Sequence, residues 1–193
     1  MLKINRYACY FHRFTTIAIG FLAFYSCGSP TQKIEALYNY DIEEKIAELG
    51  IELSEQKTPP GLKIKMATQS GNMIYLSGNG PISATGERIE GKVGTDLTTE
   101  EGYAAARLTA INHLSVLKEQ IGELNKVVRV VKVFGMVNCD ASYSDHPKVI
   151  NGYSEVMIEV FGERGKHSRS AVGMNSLPWN LACEIETIVE IQE

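Results

Sequence analysis

The stretch from Thr98 to Gly122 does most to fix what this chain can become. Thr98 opens T-T-E-E, so Thr98 and Glu101 have the spacing of a capping box. Tyr103, Ala106, Ala110, Leu114, Leu117 and Ile121 then recur at steps of three and four up to Gly122. A helix of that length with one apolar stripe must lie on an apolar surface, and the segments around it have the period of strands. Leu62 to Ala67 alternates apolar residues with Lys63 and Lys65, Met73 to Leu76 is an apolar run, and Gln69-Ser70-Gly71-Asn72 between them reads as a turn, which predicts a hairpin. Val127 to Val137, rich in valine and interrupted by Arg129 and Lys132, reads as a mostly buried strand. Pro147 can start a second helix with Val149, Tyr153, Val156, Met157 and Val160 on one face, ending near Phe161-Gly162. Ser170 to Met174 and Ala182 to Ile191 are the last two strands, with Pro178 in the loop between them. The order β-β-α-β-α-β-β predicts an α+β domain in which two helices cover one face of a mixed sheet. Upstream, Asp41 to Gly50 predicts a short helix capped by Asp41, Ile51 to Leu53 a brief strand, and Pro59-Pro60-Gly61 a break.

The first residues are of another kind. Lys3, Arg6 and Arg13 are positive, no acid precedes Glu35, and Phe14 to Phe24 is an apolar run too short to span a bilayer but suited to a signal-peptide core. Ser26-Cys27 follows, a pair similar to a bacterial lipobox. The expectation is a signal peptide over residues 1–26, lipidation at Cys27, a polar tether over 27–40, and one domain over 41–193 whose residues 41–61 are an N-terminal extension. Export places the protein in the periplasm or on a membrane through its lipid anchor alone. With the signal removed, the formal charge of −4 for the whole chain falls by those three charges to −7. Such an acidic body disfavours a nucleic-acid partner, which needs a basic stripe. Cys9, Cys27, Cys139 and Cys183 form no C-x-x-C pair and have no histidine at zinc-ligand spacing, so no metal site is expected; Cys139 and Cys183 read as buried thiols.

Other constellations carry little. Gly78-Asn79-Gly80-Pro81 has neither the lysine of a P-loop nor the third glycine of a dinucleotide fingerprint, and reads as a turn. Ser144, Asp145 and His146 are consecutive and no G-x-S-x-G elbow exists, which argues against a serine hydrolase. His113 beside the helix stripe reads as a packed or solvated residue. The C-terminal stretch is richer: Arg169 starts one strand and alternating acids occupy the next, so a short return can bring Arg169 near Glu184. By periodicity alone an ordinary surface ion pair, worth little, is the favoured reading.

S-G-N-M-I-Y-L-S-G at Ser70 to Gly78, V-I-N-G-Y at Val149 to Tyr153, and R-S-A-V-x-x-x-x-L-P from Arg169 followed by E-I-E from Glu184 resemble the Rid proteins, the reactive intermediate deaminases also called the YjgF family. The likeness runs from about Leu62 to the C-terminus. The N-terminal helix and the V-G-T-D-L-T-T-E-E-G-Y-A-A-A-R segment resemble a longer branch known as endoribonuclease L-PSP-like. The resemblance implies a chorismate mutase-like fold and a homotrimer with clefts between subunits. It implies hydrolysis of small enamine or imine acids to 2-oxo acids and ammonia, without a cofactor. Arg169 would grip the substrate carboxylate, Glu184 would position the attacking water, and Ser77 and Asn151 would line the cleft. Ile64 stands where an aromatic residue is common and Ala171 where cysteine is common, which makes the pocket more apolar. The alternative is a non-catalytic module of the same fold that binds small carboxylates.

Overall fold

The computed structural model describes residues 36–55 and 61–192. Residues 1–26 and Cys27, on which the export expectation rests, lie outside them. The elements are helix α1 (Ile42–Glu48), strands β1 (Ala67–Ser70) and β2 (Met73–Asn79), helix α2 (Thr99–Ile121), strand β3 (Val127–Asn138), helix α3 (His146–Phe161), and strands β4 (Ser168–Met174) and β5 (Cys183–Ile191). The strands form one sheet in the order β1-β2-β5-β3-β4. All neighbours are antiparallel except β3 and β4, which are joined through α3 and run parallel. The predicted α+β architecture is therefore present.

The capping box forms in full: the Thr98 hydroxyl accepts the Glu101 N–H at 3.1 Å, and the Glu101 carboxylate accepts the Thr98 N–H at 2.8 Å. Helix α2 ends at Gly122, whose φ of +81° suits glycine. Helices α2 and α3 lie on one face of the sheet and approach closely. A Cβ at Gly152 would sit 2.1 Å from the Tyr103 carbonyl oxygen of α2, so this position admits only glycine. The V-I-N-G-Y motif thereby divides its work. Val149 and Ile150 are buried in the core, Gly152 lets the helices touch, Tyr153 is fully buried, and Asn151 points outward.

Three local expectations are corrected. Ile51 to Leu53 is not a strand; its buried Ile51 donates its N–H back to the Ile46 carbonyl of α1. The first strand begins at Ala67, because the hairpin turns at Gly71-Asn72 with Ser70 paired to Met73, which extends β1 through Gln69 and Ser70. Leu62 to Met66 forms no regular ladder; it is held to β2 by Ser77, which donates its N–H to the Met66 carbonyl and its hydroxyl to the Lys65 carbonyl. Part of the stretch expected to be a tether also packs on the domain. The Tyr38 hydroxyl donates to the Val127 carbonyl at 2.6 Å, its ring lies 6.4 Å from that of Phe161, and the Tyr40 hydroxyl donates to the Val160 carbonyl. Cys139 and Cys183 are buried as expected, and burial pushes the Cys183 thiol up to about 12.

Candidate active site

The expected site residues do not all meet within one chain. Arg169 is paired with Val133 of β3, and Glu184 with Met136. Strand residues alternate between faces. Val133 is fully buried, and a Cβ at Gly135 would press on Ile150 of α3, so this parity of β3 faces the helices. Arg169 shares that face. Met136 and Glu184 have the opposite parity and belong to the face that the helices leave uncovered, where Lys132, Phe134, Tyr75, Glu186 and Ile188 are half-buried or exposed. Arg169 and Glu184 are also separated by about 10 Å along β3 and by two strand spacings, about 10 Å, across it. The expectation that the return loop brings them together is corrected, and so is the surface ion pair: among the described residues neither has an opposite charge within 4 Å.

Arg169 lies on β4, an edge strand, half-buried against α3. Its Nη1 donates to Asn151 Oδ1 at 2.9 Å and to Ser154 Oγ at 3.0 Å, and Nη2 donates to the Pro147 carbonyl at 3.4 Å. Positions 147, 151 and 154 have the spacing of one helix face, so α3 presents three neutral acceptors to one guanidinium. A guanidinium has five N–H donors. With both hydrogens of Nη1 used, the edge formed by Nε–H and the second Nη2–H remains, the geometry that reads a planar carboxylate through two parallel bonds. Burial acts against the charge and lowers the pKa of Arg169. Ala171 lies two residues on, half-buried and on the same face.

Glu184 is half-buried in a cleft lined by Ile64, Met66, Gly78, Asn79, Trp179 and Leu181 among others. Burial, and then the charge of Glu186 on the same strand, raise its pKa. A Cβ at Gly78 would stand 2.2 Å from Glu184 Oε1, so the carboxylate occupies the space that glycine leaves. Asn79 is buried, its Oδ1 accepts the Gly80 N–H at 2.8 Å, and its Nδ2 has no partner among the described residues. Trp179 and Asn180 have consecutive positive φ values of 54° and 56°, and Trp179 is exposed, with the Arg88 guanidinium over its ring at 5.2 Å. A left-handed Trp costs on the order of 1–2 kcal/mol, and here the strained turn sets the indole at the mouth of the Glu184 cleft.

Ser77 stands on the uncovered face beside this cleft. Its hydroxyl donates to the Lys65 carbonyl at 2.7 Å and so ties the Ile64 segment to β2. Asn151, exposed, belongs to the Arg169 group. The sequence reading missed Gly78, Asn79 and Trp179. Gly78-Asn79-Gly80 carried a signal in its two glycines, but a glycine's neighbour across the sheet is visible only once the strands are paired.

The fold thus defines a small α+β domain with a guanidinium at a sheet edge that has no counter-charge among the described residues, and a half-buried carboxylate on the open face. The chain belongs to the YjgF/L-PSP family: residues 43–191 match the model described as "YjgF/chorismate mutase-like, putative endoribonuclease". Protein TCP17 of Trypanosoma cruzi is 35% identical over 151 residues, covering 78% of this chain and 94% of that protein. The crystal structure of a "putative endoribonuclease" from Shewanella oneidensis MR-1 is 31% identical with a TM-score of 0.75, covering 79% of this chain and all of that one. RidA from the Antarctic bacterium Psychrobacter sp. PAMC 21119 is 25% identical with a TM-score of 0.50, covering 72% and 94%.

Proposed function

We propose that this protein is a cofactor-independent deaminase that hydrolyses small enamine or imine acids to 2-oxo acids and ammonia, at a site completed by a second copy of the chain. Arg169 carries the reading: it is a half-buried cation with no carboxylate partner among the described residues and with a two-donor edge still open. A substrate carboxylate supplies the missing charge. Glu184 of the neighbouring copy faces the imine carbon. Its carboxylate takes a proton from water as the oxygen bonds to that carbon. It returns that proton to the nitrogen to give a carbinolamine, then takes the hydroxyl proton as the carbonyl forms and passes it to the departing nitrogen as the carbon–nitrogen bond breaks, leaving a 2-oxo acid and ammonia. A raised pKa brings Glu184 nearer the range in which it can both accept and return that proton. The arrangement of the two groups on opposite faces supports a closed homotrimer, in which the Arg169 edge of one copy meets the open face of the next.

The test is ammonia release from imino acids generated in situ, together with binding of a 2-oxo acid followed by tryptophan emission, since Trp179 is the chain's only tryptophan. Wild type should show both. Arg169→Lys should lose about a hundredfold in kcat/KM, because an ammonium cannot make the paired planar contact. A wild type that binds the 2-oxo acid and releases no ammonia would instead support a non-catalytic carboxylate module. Export and lipidation at Cys27 belong to the same proposal: fatty-acid labelling should be present in wild type, and equal labelling of Cys27→Ser would reject it.

A further inference from the structure

We propose that Ser154 and His167 are positioning residues that fix which edge of Arg169 is presented to a ligand. The direction of each proton in this cluster follows from its neighbours. His167 Nδ1 lies 2.6 Å from the Gly165 carbonyl, and a carbonyl oxygen can only accept, so Nδ1 carries the hydrogen. Burial, working against the Gly165 hydrogen bond and helped by the charge of Arg169, holds the His167 pKa below the usual histidine value, which favours the neutral ring at pH 7 and above. Nε2 therefore offers a lone pair, and the Ser154 hydroxyl 3.0 Å away donates to it. With its hydrogen directed at His167, Ser154 Oγ turns its lone pairs to Arg169 Nη1 at 3.0 Å. The chain runs one way, from Arg169 through Ser154 to His167 and on to the Gly165 backbone.

This chain ties the guanidinium to two rigid elements at once. Asn151 holds the other Nη1 hydrogen at 2.9 Å, and the Pro147 carbonyl takes an Nη2 hydrogen only at 3.4 Å, so one short bond and one long one leave the group loosely held. Ser154 supplies the second short bond, and His167 orients Ser154. The plane of the guanidinium is then set, with the Nε–H and Nη2–H edge facing away from α3. Without the hydroxyl, Nη1 has one hydrogen unplaced, and the outward edge loses its definition. The consequence for substrate binding rests on the deaminase reading; the arrangement of the cluster does not.

Two measurements on the full chain, labelled with 15N, separate these levels. The imidazole nitrogens of His167 should report the Nδ1–H tautomer. The Arg169 Nε–H resonance, assigned by its loss in Arg169→Lys, should be ordered on the picosecond to nanosecond scale in wild type and in Ser154→Thr, which keeps the hydroxyl. It should be mobile in Ser154→Ala and in His167→Ala. Affinity for a 2-oxo acid should fall about tenfold in each of these two variants. The double variant should be no weaker than Ser154→Ala alone, since both act through one chain. An Nε2–H tautomer, unchanged order in Ser154→Ala, or additive losses overturns the proposal. A wild type that binds no 2-oxo acid while Arg169 remains ordered, and becomes mobile in Ser154→Ala, overturns the deaminase reading and upholds the positioning.

Discussion

At Gly78 a single methyl group decides where the Glu184 carboxylate can sit. A Cβ there would meet Oε1 at 2.2 Å and Cδ at 3.0 Å, and the flexible end of the glutamate is what gives way. Gly78→Ala should therefore keep its affinity for a 2-oxo acid and lose turnover at least tenfold, as a misplaced catalytic group does. Glu184→Gln should behave alike, since an amide can orient water but cannot take its proton. The pH profile follows from the direction of the shift. The base must be ionised, burial and Glu186 disfavour its ionisation, and so the acid limb of kcat/KM should lie above the ordinary glutamate value of 4.5. In Glu186→Gln that limb should move to lower pH, and an unmoved limb would mean that another group sets it. Both carboxylates and Arg169 were legible in the sequence through the C-terminal motif. That Arg169 and Glu184 face opposite ways was not, because the intervening 3₁₀ turn at Pro178–Asn180 breaks the count of alternating residues.

Among the elements, β2 departs from regular pairing with β5 between Leu76 and Asn79, as β3 does near its start, and the residues beside β2 explain how its departure is tolerated. Ser77 donates its N–H to the Met66 carbonyl, and its own carbonyl accepts His113 Nε2–H from α2 at 3.1 Å. With that hydrogen placed, His113 Nδ1 accepts the Tyr153 hydroxyl at 2.7 Å, and Tyr153 in turn accepts from Thr187 at 2.7 Å. The chain joins α2, α3, β5 and β2 through groups that are almost wholly buried. Burial lowers the His113 pKa from 6.5 to about 4. Between those values the unfolded chain takes up a proton that the fold refuses, so stability should fall as pH drops from 6.5 to 4, by on the order of 3 kcal/mol. Denaturant unfolding of wild type and His113→Gln across this window checks it: the wild type should show the extra slope, and parallel curves would contradict it. The sequence showed the cap and stripe of α2 and placed His113 beside the stripe. It could not show that a bulge in a distant strand leaves a carbonyl there for the ring to bind.

For the whole molecule, the helices cover one sheet face and leave the other open, with Tyr75 and Ile64 exposed beside the Glu184 cleft. In the proposed trimer this face is buried and the Arg169 edge of one copy meets it. The protein without its N-terminal segment, residues 28–193, should sediment at about three times the mass of its own chain, and Lys132→Glu, on the open face, should weaken that association without unfolding the chain. The central claim is that each site takes its arginine from one copy and its glutamate from another. Arg169→Ala and Glu184→Gln, each inactive alone, can be unfolded together and refolded as mixed trimers. Some interfaces then pair the intact Arg169 of one variant with the intact Glu184 of the other, and in an equal mixture about a quarter of the sites should be complete. Recovery of about a quarter of wild-type ammonia release is the result predicted; a mixture as inactive as its components contradicts the account.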